Sequence, residues 1–307
     1  MRHERTPLVS VVMPAYDRAD RVGAAVESIL QQSLTDLELI VIDDASRDGS
    51  ASIAEQFHDR RMTVVRLPAN LGNAAARDIG MQLARAPFLA VMDSDDISLP
   101  HRLERQLQFL ETNAEVDLLA ADATRVTGPL REPMRWPRDD GQIKAMLLHV
   151  DGAMIHPTVV MRSAFVRSCG IRYTAAMRTD ADNDFYVQAM AAGARFHNLG
   201  EPLLDYHRHP GNVTNDPLLR QRKRSVRRRV AGLFFPELRG VEIEALIATF
   251  DPTGPLTVQQ AAHGLSALDH ARLEERSFFG ESRAQVRLLV DERRAALMRA
   301  LQRVGEA

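Results

Sequence analysis

The stretch LVSVVMPAYDR (8–18), answered by LELIVIDDASRDGS (37–50), decides the fold. In each, a short β-branched apolar run stops abruptly in polar residues. That is the pattern of a strand covered on both faces whose carboxyl end opens onto solvent. Between them ADRVGAAVESILQ (19–31) sets Val22, Val26, Ile29 and Leu30 on one helical face. The alternation continues. A helix is expected from about Asp48, with Ile53, Ala54 and Phe57 turned inward. MTVVRL (62–67) then reads as a strand, 72–84 as a helix and PFLAVM (87–92) as a strand. Residues 99–112 read as a helix with Leu103, Leu107 and Leu110 on its stripe, and VDLLAA (116–121) as a fifth strand. Strands and helices at this spacing predict an α/β fold, a mainly parallel sheet with helices on both faces.

Ligands of such sheets bind outside the carboxyl ends of the strands. Four polar clusters fall there: PAYDR, DDASRDGS, PANLGNAAAR and DSDD. In VMDSDDISLP (91–100) the carboxylates Asp93, Asp95 and Asp96 crowd into four positions, where like charges repel unless a cation sits among them. Such a cluster suits a hard divalent ion, Mn2+ or Mg2+, completed by phosphate oxygens. The competing reading is an acidic patch at the start of the 99–112 helix, which the helix dipole welcomes. Tyr16 is placed to cover a planar base or simply to pack. Asp44 is placed to accept from a nucleobase or ribose, or to cap the helix that follows. Arg77 is placed to reach a base carbonyl or phosphate, or to form a surface ion pair. Together they describe a nucleoside diphosphate site.

Composition narrows the classes. A net charge of −2 over 307 residues selects neither nucleic acid nor an anionic surface. The single cysteine, Cys169, excludes a disulfide framework and a cysteine zinc site. The N-terminus lacks the apolar core of a signal peptide, and no run reaches the roughly 18 apolar residues of a membrane span. The expectation is a soluble, cytoplasmic protein.

The ordered set VSVVMPAYDR, AVESILQQSLTDLELIVIDDASRDGS, NLGNAAARDIG and APFLAVMDSDDISLP resembles the family 2 glycosyltransferases of GT-A fold, over roughly residues 8–215. The resemblance implies a Rossmann-like sheet, a nucleotide-sugar donor usually carrying UDP, and inversion at the anomeric carbon. By position, it implies that Pro14, Ala15 and Tyr16 line the base pocket, that Asp44 binds the uracil edge and that Arg77 assists. Asp93 would contact ribose, and Asp95 would bind the metal with Asp96 in support. ADNDFYVQAMAAGARF makes Asp182 the counterpart of the catalytic base, with Ala181 in place of the customary glutamate and Asp180 and Asp184 as neighbouring candidates. HPTVV (156–160) resembles the segment bordering the acceptor pocket, so His156 faces either the acceptor or the core. YHRHPGNVT (206–214) resembles the closing segment, with His209 near diphosphate or metal. His207 stands where arginine is common, which moves a phosphate contact toward Arg208.

The expected organisation is a GT-A catalytic domain over 1–216, divided into a nucleotide-sugar half (1–122) and an acceptor half (123–216), then a C-terminal helical region over 217–307. Residues 122–155 read as an extended loop or edge hairpin. ARFHNL and PLLDYH read as two short strands. Helices are expected at 218–234, 240–249, 256–277 and 281–304. The basic run RQRKRSVRRR (220–229), with seven cations, reads as a solvated helix, or as a contact with anionic lipid beside a lipid-linked acceptor. It lacks the aromatics of a nucleic-acid platform. The expected partners are a UDP-sugar and a saccharide or lipid-linked acceptor, and apolar stripes on the C-terminal helices leave a homo-oligomer open. Two alternatives stand beside the transferase: a sugar-nucleotide pyrophosphorylase, disfavoured by a PAYDR loop without glycine, and a catalytically silent nucleotide-sugar binding or assembly protein.

Overall fold

The computed structural model describes residues 6–149, 153–177, 180–209, 219–250, 256–273 and 282–305. Positions 210–214 of the closing segment, the 216/217 boundary, and the expected helix ends at 218, 274–277 and 281 lie outside the described residues. The chain divides into two compact units. One comprises Met1–Arg138 with Met154–Asp216, the other Asp139–Ala153 with Pro217–Ala307.

The first unit is built on one sheet. Strand β1 (Val9–Ala15) is buried at all seven positions, and helix α1 (Val22–Leu30) buries Val22, Ala25, Val26 and Ile29. Each such aliphatic side chain contributes about 1.5–3 kcal/mol when fully buried. Then follow β2 (Leu37–Asp43), α2 (Ser50–Glu55), β3 (Met62–Arg66), α3 (Asn73–Leu83) and β4 (Phe88–Val91). β3, β2, β1 and β4 lie side by side in that order, all parallel. The chain therefore steps outward from β1 and returns to its other side at β4. That reversal opens a crevice at the carboxyl ends of β1 and β4. α3 lies close on the sheet because Gly80 carries no side chain; a Cβ there would overlap Val12 Cγ1.

Beyond β4 the parallel rule ends. A two-residue strand β5 (Ile97–Ser98) precedes α4 (Arg102–Thr112), which buries Leu103, Leu107 and Leu110 as expected. β6 (Leu118–Thr127) and β7 (Leu130–Met134) form the edge hairpin. A 3-10 turn (His156–Thr158) leads into β8 (Val160–Arg162), α6 (Ser163–Ser168), α7 (Ala181–Ala191) and β9 (Phe196–His207). β8 pairs antiparallel with both β4 and β6, while β9 runs parallel to β6 and antiparallel to β5. The sheet is thus mixed. The two strands expected at ARFHNL and PLLDYH are one strand, β9, whose pairing with β6 shifts register on either side of Asp122. Gly200, at φ +60, falls inside it and gives a strand interior the look of a turn.

The second unit is helical: α5 (Asp140–His149), α8 (Leu219–Phe234), α9 (Val241–Phe250), α10 (Val258–Leu273) and α11 (Ser282–Gly305). α5 was not expected. It lies in the segment read as loop, and packs on α8, α9 and α11, so 139–153 belongs with the C-terminal helices and not with the acceptor half. In the basic run, Arg224 and Arg228 both pair with Glu244 of α9, and Arg227 is 5% exposed. Arg224 and Arg228 are thus paired inside the helical unit. Among the described residues no helix is long and apolar enough to cross a membrane.

Candidate active site

The loops after β1 and β2 are knitted to each other by side chains meeting backbone amides. Asp17 Oδ1 accepts from the Arg47 amide at 2.8 Å, and the Asp17 amide donates to Ser46 Oγ at 3.0 Å. The Arg18 amide donates to Ser50 Oγ at 2.7 Å, and that of Ala19 to Asp48 Oδ2 at 2.8 Å. Asp17 and Ala45 take φ of +49° and +60°, strained for residues with a Cβ, and both sit at this edge. Pro14 and Ala15 are buried under it, while Tyr16 is 38% exposed, its ring available as a cover.

Asp44 is buried and accepts from the amides of Leu71 (2.7 Å) and Gly72 (2.8 Å), one on each carboxylate oxygen. It thereby ties the loop after β3 to the end of β2. Gly72, at φ +90, makes the turn into α3. One turn into that helix, Arg77 is 7% exposed and forms an ion pair with Asp93 at the end of β4. Burial would weaken its proton affinity, but Asp93, Tyr173 and Asp182 together raise it, so the guanidinium is firmly cationic. Its Nε has no hydrogen-bond partner among the described residues.

Asp93, Asp95 and Asp96 each bring an oxygen within 4.8 Å of the others. Burial, then Asp95, pushes Asp93 above the usual carboxylate range, although Arg77 opposes the shift. Asp96 is 1% exposed and is pushed well above that range by burial, then by Asp93 and Asp95. Its Oδ1 accepts from the His207 amide at 2.8 Å, and Oδ2 has no partner among the described residues. Asp95 Oδ2 receives Arg18 Nε at 3.1 Å and His209 Nε2 at 2.9 Å. Behind the cluster, Arg102 is fully buried on Val91 O (2.7 Å), its pKa lowered by burial to about 10. An all-oxygen set, electrostatically strained and holding an orphaned buried carboxylate oxygen, fits a hard divalent cation.

All three carboxylates heading α7 accept hydrogen bonds, Asp182 Oδ1 from the amide of Asn183 at 2.9 Å. Asp180 accepts from Asn183 Nδ2 at 2.8 Å, and Asp184 accepts from Thr174 Oγ1 (2.7 Å) and Gln188 Nε2 (2.9 Å). Asp182 is half-buried, and its charge acts on Arg77, Asp93 and Tyr206. The base candidate therefore shares the donor corner. His156 is packed into the core. It is 7% exposed, with Nδ1 on Tyr186 Oη at 2.6 Å and Nε2 on Tyr173 Oη at 2.8 Å. Both ring nitrogens are used, and burial followed by Arg77 holds its pKa well below the ordinary value. Arg208 is exposed, its amide on Val126 O at 2.9 Å.

The sequence reading passed over four residues of this corner. Arg18 stands in the quoted PAYDR run but only the fold brings it to Asp95. Tyr173 lies under the Arg77 guanidinium, 5.9 Å from ring centroid to carbon. Tyr206 is raised by burial and then by the charges of Asp93, Asp96, Asp95 and Asp182. Arg102 adjoins the leucine stripe of α4 and is fully buried behind the carboxylates.

Comparisons with known proteins give the family and the fold. The model of glycosyl transferase family 2 matches residues 10–169. The succinoglycan biosynthesis protein ExoU of Rhizobium meliloti is 33% identical over 206 residues, 61% of this chain and 58% of its own length. A glycosyltransferase of Methanocaldococcus jannaschii is 27% identical over 206 residues, 65% of this chain and 70% of its own. Among solved structures, S. aureus TarS 1–349 in complex with UDP-GlcNAc superposes with a TM-score of 0.66 at 18% identity, covering 97% of this chain and 90% of that one. That likeness is one of fold, and the fold is GT-A. The family model covers more than half of the chain, and the chain belongs to glycosyl transferase family 2: it is a glycosyltransferase.

Proposed function

We propose that this chain is an inverting transferase that moves a sugar from a UDP-linked donor to a hydroxyl of a saccharide or lipid-linked acceptor, in polysaccharide synthesis. The observation that carries it is the meeting of Arg77, Asp93, Asp95, Asp96 and Asp182 at one end of the sheet. Similar proteins support the details: ExoU and ExoO are named for succinoglycan biosynthesis, and TarS structures hold UDP and UDP-GlcNAc. Family membership leaves no observation in favour of a pyrophosphorylase or a silent binder.

In this reading Tyr16 covers the base over Pro14 and Ala15. Asp44 acts by shaping the loop that presents Arg77, with its oxygens on backbone amides, and Asp93 fixes Arg77 while bordering the ribose. Asp95 and Asp96, with His209, would hold Mn2+ or Mg2+, which when bound supplies positive charge for a departing diphosphate. Asp182 takes the acceptor hydroxyl proton as that oxygen attacks the anomeric carbon from the face opposite the leaving group. The proton then rests on the Asp182 carboxylate, and the acceptor oxygen holds the sugar.

The test is Asp182→Asn assayed on a panel of UDP-sugars for UDP release, with UDP affinity measured alongside. A general base contributes about 10²–10⁴-fold. Turnover should fall by that factor with UDP affinity unchanged; turnover within a few-fold of wild type would refute the assignment.

A further inference from the structure

One oxygen of Asp95 carries two nitrogen donors. His209 Nε2 lies at 2.9 Å and Arg18 Nε at 3.1 Å. The Arg18 side chain is 20% exposed and that of Asp95 14%, so the pair is partly shielded from water. The same guanidinium also donates to Asp17 O at 2.9 Å and Tyr16 O at 3.4 Å. It therefore spans the crevice, from the carbonyls beside the exposed Tyr16 to the acidic corner. Its backbone amide is anchored separately, on Ser50 Oγ. The head can move without moving the turn.

A divalent cation held by Asp95 and Asp96 needs the charge of Asp95 that Arg18 now neutralises. Guanidinium and metal cannot share that oxygen without strong repulsion. An incoming diphosphate offers Arg18 another anion, and guanidinium binds phosphate oxygens in a fork that suits its geometry. Resting on the donor and metal reading above, we propose that Arg18 is the exchange partner of the metal: it holds Asp95 until the divalent ion arrives, then passes to the donor diphosphate. Arg18 thereby couples the two ligands. Metal alone must displace it at a cost, whereas metal with a nucleoside diphosphate gives it a new partner. Linkage makes the coupling reciprocal, so UDP tightens metal binding by the factor by which metal tightens UDP.

The test is a Mn2+ titration of the full chain by electron paramagnetic resonance, with and without saturating UDP, on wild type, Arg18→Gln and Arg18→Lys. A partly buried ion pair is worth about a three- to tenfold effect. Arg18→Gln should bind Mn2+ alone tighter by roughly that factor, while the enhancement from UDP shrinks. Arg18→Lys should keep most of the wild-type coupling. The opposite signs separate exchange from support of the turn: a residue that only holds the loop would weaken both measurements together, and that result overturns the proposal. Unchanged Mn2+ binding with unchanged enhancement also overturns it, while leaving the donor site standing. Wild type that fails to bind Mn2+ in the presence of UDP overturns this proposal and the metal reading together.

Discussion

The buried chain Tyr173–His156–Tyr186 makes a prediction that needs no substrate. His156 is locked between two tyrosine hydroxyls, at 2.8 and 2.6 Å, with Arg77 nearby, so the folded protein keeps it neutral far below its ordinary pKa. The unfolded chain protonates it at about 6.5. Below that pH the unfolded state binds more protons than the folded one, so stability falls as pH falls. From pH 7.5 to 5.5 the loss from this one group is about 1.4 kcal/mol, the free energy of protonating a free imidazole one unit below its pKa. The control is His156→Gln, which removes the titration. At pH 7.5 wild type should be the more stable by about 1–3 kcal/mol, the cost of disturbing buried hydrogen bonds. At pH 5.5 that gap should shrink by about 1.4 kcal/mol. Urea unfolding followed by Trp136 fluorescence reads it, since Trp136 is the only tryptophan, packs against the sheet core and lies in the same unit as His156. A gap that stays constant between the two pH values would refute the reasoning, because it would mean that folded His156 takes up its proton as readily as a free one.

Two further substitutions test packing and charge. Gly80→Ala should destabilise the first unit by about 1–2 kcal/mol, overlap with Val12 Cγ1 outweighing the gain in helix propensity; adding Val12→Ala should recover part of it, and a stabilised Gly80→Ala would refute the close approach. Arg77→Met strands Asp93 in the corner and should cost about 3 kcal/mol. Combining it with Asp93→Asn should cost less than the sum of the singles by about 1–3 kcal/mol in a double-mutant cycle read by urea unfolding; strict additivity would refute the ion pair.

β1, β2 and β4 were legible because almost every position is buried and each shows as a mainly apolar run; β3, an edge strand with no buried position, was legible from its β-branched residues Thr63, Val64 and Val65. The later elements were not, for particular reasons. β6 continues past Ala121 through Asp122, Thr124 and Arg125, polar residues whose partners lie on β7 and β9 and not in the local pattern. α5 follows the prolines at 133 and 137, and it packs on helices that begin between 79 (219 − 140) and 142 (282 − 140) residues after it does. In the site, spacing was enough to find the carboxylates, because they fall at strand ends. The partner of each was not readable: Arg18 with Asp95 spans 77 residues, Asp44 with Gly72 28, and His156 with Tyr186 30. Local sequence left His156 between core and acceptor; the fold buries it between two tyrosine hydroxyls.

The central claim is that the acidic corner holds a divalent cation bridging to a donor diphosphate. Calorimetry of UDP binding with Mn2+, with Mg2+ and with EDTA, on wild type and Asp95→Asn, tests it most directly. The account predicts metal-dependent binding to wild type, lost with EDTA and weakened by at least about tenfold in Asp95→Asn, the scale of one charge-assisted ligand. UDP binding of equal strength with EDTA and in Asp95→Asn would contradict it, and would return Asp93, Asp95 and Asp96 to the role of an acidic patch before α4.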